Sequence, residues 1–426
     1  MKALTALTAA LLATGAFSAA VAQAQPQAPL TPRSLNLSRE ERDAIAALQA
    51  AANGADRAAQ DAALATARGR AQGMSARYAV AHYQFLIGRQ RNDNAMQTQG
   101  AEAMIESGLA TPEEAPGLVA YLAGRSLTGR DASKTDRLIA RLVELQPTNG
   151  PVLADYGQFT ASQLSFARGP AAITIRTNAV SLFQRAVAAE QGAGRTAPES
   201  WYLRGLAVAY DGTRPPTSNA TFAPAALAFG RGLVAAYPTP SNWRDALGAY
   251  RDVAGDPAIE LDVRRLMRAA GVLAGERDYM EFAGALADAR LIGEARAVID
   301  EGVQRNMVET ARIAPALATR IAPRAVTADR AALAGLRARA QAGTGAQARA
   351  AADNFYAFGQ YADAATLYAL ALQKGGEDPN LVNLRLGAAL GLAGRRPEAE
   401  AALRLVTGSR ADLAGFWLTW LARRPA

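Results

Sequence analysis

Few side chains in this sequence are suited to acid–base, nucleophilic or metal chemistry. A single histidine, His82, stands among Tyr78, Tyr83 and Phe85. As a general base it would have to activate a nucleophile, and as a metal ligand it would need carboxylates around it. The chain has no cysteine, so a thiol–imidazole pair and a thiolate metal site are both excluded. In that aromatic setting His82 is expected to pack between helices. Neighbouring acids invite a second reading, the paired carboxylates of glycoside hydrolysis, which sit about 5 to 10 Å apart. Glu40 with Glu41, Glu113 with Glu114, and Glu398 with Glu400 are the candidates. Adjacent residues on a helix diverge by about 100°. The first two pairs fall near predicted helix starts, where negative charge complements the helix dipole. Glu398 and Glu400 flank Ala399 and are expected to face solvent. There is no Gly-rich phosphate loop ending in Lys-Ser or Lys-Thr, and no Gly-x-Ser-x-Gly elbow. The sequence thus predicts no catalytic residue, no metal site and no cofactor.

The elements carrying these side chains are predicted to be helices. Ala and Leu dominate, while β-branched and aromatic residues are sparse. An internal period stands out near the carboxyl end. Phe355, Gly359, Ala364, Tyr368 and Ala371 recur 35 residues later as Leu390, Gly394, Ala399, Leu403 and Val406. Such a unit reads as a helix, a glycine turn and a second helix. Small residues at Ala364, Ala371 and Gly387 allow the two helices to cross closely, and Gly359 and Gly394 can adopt the positive φ that ends a helix. Pro379 is placed to start the next unit in its first turn.

These residues resemble the tetratricopeptide repeat, a helix–turn–helix unit of about 34 residues. Looser copies begin at Leu153, Trp201, Trp243 and Tyr279, two of them with an enlarged turn, around Gly169 and between Arg214 and Ala223. The resemblance implies an all-α, right-handed superhelical solenoid of antiparallel hairpins. Residues 38–307 would form a degenerate array, 308–347 an irregular connector or hinge, and 348–408 the repeat pair. Residues 409–426 would form an amphipathic cap, since Leu413, Phe416, Trp417, Trp420 and Leu421 share one helical face. In the family, the inner face formed by the first helices grips a peptide or partner helix. Carried onto this chain, the resemblance gives the groove residues Tyr202, Tyr210, Arg244, Arg251, Asp353 and Tyr356.

The first residues read as an address. Lys2 precedes the uncharged stretch Ala3 to Ala22, and small residues favour cleavage before Gln23 or Gln25. Residues 1–24 are therefore expected to be an export signal, and 25–37, with Pro26, Pro29 and Pro32, a disordered lead-in. No later stretch is long and apolar enough to span a membrane, so a soluble periplasmic protein is expected. The formal charge is +8, falling to +7 with the loss of Lys2, and nearly all of it is arginine interspersed with acids. That pattern and export argue against nucleic acid, leaving protein partners and peripheral contact with membrane or an anionic polymer. The expected function is a non-catalytic scaffold for a protein partner in envelope assembly, export or polysaccharide handling. The alternatives are an all-helical carbohydrate-active enzyme and a direct binder of anionic glycan or lipid.

Overall fold

The computed structural model describes residues 35–215, 217–254 and 257–423. The expected export signal and the lead-in up to residue 34 lie outside the described residues. All regular structure among the described residues is helical, with no strand. The chain divides into two compact units between Val208 and Ala209.

The first unit holds α1 (Arg39–Ala52), α2 (Arg57–Arg70), α3 (Met74–Arg91), α4 (Asn94–Glu106), α5 (Ala115–Thr128), α6 (Ala132–Leu145), α7 (Gly150–Ser162) and α8 (Gly169–Gly192). The division falls within α9 (Glu199–Thr213). The second unit continues with α10 (Ala223–Ala236), α11 (Pro240–Ala254), α12 (Pro257–Ala269), α13 (Gly275–Asp288), α14 (Ile292–Gln304), α15 (Pro315–Arg320), α16 (Pro323–Ala342), α17 (Gly345–Ala357), α18 (Tyr361–Lys374), α19 (Pro379–Leu392), α20 (Arg396–Arg404) and α21 (Ala411–Ala422).

Within each unit helices pack mainly on their neighbours in sequence, as hairpins such as α3–α4, α7–α8 and α17–α18. Local signals set their ends. Ser38 and Glu41 form a reciprocal capping box at the start of α1, satisfying two amide donors that helix geometry leaves open. Leu35, just before it, already packs against a cluster containing Tyr78, Phe85 and Leu122.

The carboxyl-terminal period has a direct geometric counterpart. Gly359 and Gly394 take φ of 72° and 79°, the left-handed conformation that lets the chain reverse between α17 and α18 and again between α19 and α20. Ala364 and Ala399, their successors in the repeat, have no exposed surface. At Gly387 a Cβ would come within 2.5 Å of Leu403 Cγ, so α19 and α20 touch there only because glycine has no side chain.

Residues 308–347 lie inside the second unit and carry the short α15 and the 20-residue α16. Lys374 Nζ donates to Gln341 O at 2.8 Å and to Gly343 O at 2.6 Å, placing a cation on the carbonyl end of α16. The apolar face of α21 is fully used. Leu413, Phe416, Trp417, Trp420 and Leu421 are buried, and the helix packs on α19, α20 and α10. Tyr250 Oη of α11 donates to Ser409 O at 3.0 Å, Trp420 Nε1 donates to Ala269 O at 3.0 Å, and the rings of Trp243 and Phe416 lie 6.2 Å apart. The last helix of the second unit therefore returns to its first ones. No described helix is long and apolar enough to cross a membrane.

Candidate functional site

Two of the expected groove residues of the second unit, Asp353 and Tyr356, lie in a buried polar cluster built around α12. Its apolar residues Ile259, Val263, Leu266 and Met267 are buried, as helical periodicity requires, but so are Asp262, Arg264 and Arg265 between them. Arg265 grips Glu294 of α14 with two nitrogens, Nη2 to Oε2 at 2.6 Å and Nε to Oε1 at 3.1 Å. Its guanidinium lies over the ring of Tyr356, 4.2 Å from the centroid. From α19, Arg385 places Nε 3.0 Å from Asp262 Oδ1 and Nη1 3.0 Å from both oxygens of Asp353. Asp353 also accepts from Tyr368 Oη at 2.6 Å and from Arg349 Nη1 at 3.0 Å.

Two guanidiniums and three carboxylates, each less than a tenth exposed, thus pair within the unit, and Arg349 adds a third cation at Asp353. Burial pushes the Asp353 carboxyl up, but Arg385 and Arg265 outweigh it and hold the group below its ordinary value. Burial likewise opposes the charge on Arg265 and Arg385. Glu294 reverses this for Arg265, and Asp262 and Asp353 do so for Arg385, so both stay charged. Burial, reinforced by Asp353, raises the Tyr368 phenol, which therefore remains a donor. Such a set holds helices in register; its members are already engaged with one another.

The six expected groove residues fall into different settings. Asp353 and Tyr356 face α12 inside the cluster. Tyr210 and Arg251 meet at Asp252, whose carboxylate accepts from Tyr210 Oη and lies 3.5 Å from Arg251 Nε; Arg251 also stands 4.0 Å from Glu260 of α12. Tyr202 is buried. Only Arg244 is exposed, and among the described residues it makes no ion pair. Sequence reasoning missed Asp262, Arg265, Glu294 and Arg385. The signal available was Arg385 itself, a cation amid the apolar run of α19, and the charges on the inward face of α12.

Of the acids weighed for hydrolysis, all but the exposed Glu113 have structural partners. Glu41 caps α1 and accepts from the amides of Gln72 and Gly73; its bonds to the Ser38, Gly73 and Gln72 amides bring its pKa down to about 2. Glu40 pairs with Arg70. Glu114 accepts from Tyr78 Oη at 2.8 Å and from the Thr111 amide. Arg395 engages Glu398, and Arg396 and Arg404 engage Glu400. His82 is buried with its ring edge-on to Tyr83, centroids 5.4 Å apart. Among the described residues no three His, Asp or Glu side chains are placed to hold a metal ion.

The first unit holds an open cleft of about 590 Å³. It is lined by Tyr156, Phe159 and Thr160 of α7, by Gln163 just after that helix, and by residues of α6 and α8. Tyr156 Oη donates to Asp136 Oδ1 at 3.2 Å; burial first, and then Asp136, push that phenol up to about 12.

Compared with known proteins, the chain matches no protein-family model, and none of the curated proteins is significantly similar to it.

Proposed function

We propose that this chain is an exported, tetratricopeptide-like scaffold that holds a protein partner on its helical surface and performs no chemistry itself. The observation that carries the reading is the repeat at α17–α20. Equivalent positions 35 residues apart take the same backbone turn and the same burial, as stacked hairpins of one design require. The candidate carboxylates and His82, engaged as described above, fit a binding role better than an acid–base one. The signal-like residues 1–24 support a periplasmic setting, where envelope assembly, export or polysaccharide handling would supply the partner.

Because α12 covers Asp353 and Tyr356, the part of the proposed surface open to a partner is α11, around Arg244 and Arg251. Free and half-buried guanidiniums there favour an acidic partner surface, with which arginine forms two-pronged hydrogen bonds. Affinity capture from envelope extract with the wild type and with Arg244→Glu/Arg251→Glu tests this. A specific partner retained by the wild type and lost by an equally folded variant supports the assignment. The same partner set on both proteins removes it.

A further inference from the structure

The cleft in the first unit shows a charge arrangement that the scaffold reading does not use. Asp136 on α6 and Arg185 on α8 both line it, and α7 packs against both helices from between them. Among the described residues neither charge has an ion-pair partner; Asp136 accepts one hydrogen bond, from Tyr156, and Arg185 makes none. Elsewhere arginines commonly pair with acids across helices, as Arg91 with Asp61 and Arg320 with Asp288 do. Here an acid and a base line one cavity and leave each other unmatched.

The lining also carries amides and hydroxyls, Asn178 and Gln163 among them, and the apolar side chains Phe159, Ile175 and Leu182. We propose that this cleft binds a short peptide by its two charged ends. Asp136 would take the ammonium and Arg185 the carboxylate, in a two-pronged contact that suits a guanidinium. The amides can serve both the N–H and C=O groups of the peptide bonds, because each carries donors and an acceptor. Small side chains would rest on Phe159 and Leu182. The volume lies within the range of about 300–1,000 Å³ usual for small-ligand sites. The Tyr156 phenol, protonated at neutral pH, holds Asp136 in place by donating to one of its oxygens and leaves the other for the ligand.

Calorimetric titration of the full chain with trialanine, N-acetyl-trialanine and trialanine amide reads both ends separately. Trialanine is expected to bind saturably, and each cap to weaken binding about ten- to a hundredfold, the usual range for losing a charge-assisted hydrogen bond. Asp136→Asn should abolish the penalty for acetylation alone, and Arg185→Gln the penalty for amidation alone. Both positions are solvent-exposed, and unchanged thermal melting confirms that the variants fold. No saturable binding through millimolar trialanine overturns the proposal. So does equal binding of capped and free peptides, or binding of cellobiose that displaces trialanine and ignores both substitutions, which would make the cleft a polyol site. None of these outcomes bears on Arg244 and Arg251, which the titration does not probe.

Discussion

Arg385 is the residue on which the second unit's polar core most depends, because it serves two carboxylates on two helices at once. Arg385→Met would leave Asp262 and Asp353 short of a buried counter-charge and should cost about 3–5 kcal/mol in denaturant unfolding, the range for breaking a buried pair from one side. Removing Arg395 from its exposed pair with Glu398 should leave the midpoint unchanged. The same charges set a pH dependence. Asp353 and Glu41 both titrate lower in the folded chain than in the unfolded one, so the unfolded state binds more protons on acidification. The stability they contribute is full above pH 4.5 and is lost below it, through the folded value of about 2 for Glu41. Thermal melting followed from pH 7 to pH 2 should therefore be level at first and fall steeply below pH 4.5, and Asp353→Asn should flatten part of that fall. At this scale the repeat resemblance reached Asp353 and Tyr356 but not what they touch. The contact of Arg385 with Asp262 joins residues 123 apart, and no local period encodes it.

The elements were the most legible level, since caps and turns are local. Ser38 with Glu41, Gly359, Gly394 and Pro379 mark their boundaries by side-chain and backbone chemistry that operates within a few residues. The segment 308–347 was harder to read, because Pro315 and Pro323 look like breaks in sequence. In the structure each occupies the first turn of a helix, where a missing N–H costs nothing. Close crossing of α19 and α20 makes a sharp prediction. Gly387→Ala should destabilise the protein by about 1–3 kcal/mol through overpacking against Leu403, even though alanine favours helix, as read by denaturant midpoint. The terminal helix gives another. Truncation before Ala411 would uncover Trp243 and Tyr250, and the shortened protein should aggregate or lose its cooperative transition. A truncated chain that melts like the full one would show that α21 does not complete the core.

For the whole molecule, the order of hairpins followed from local patterns, whereas the division at Val208 and the return of α21 to α10 did not. Both arise from contacts between residues far apart in sequence, such as Trp420 with Ala269, that periodicity does not report. Together with α12, that return covers apolar and charged faces that an open array would leave exposed. Of the proposed groove residues, the one left exposed is Arg244 on α11. A photoreactive residue placed at Arg244, with a control at the exposed Arg324 on α16, measures this in the cell envelope. Irradiation should give one discrete, heavier adduct containing a single partner protein from position 244 and none from position 324. No adduct from a folded, exported protein, or the same adducts from both positions, would contradict the claim that this surface holds a partner.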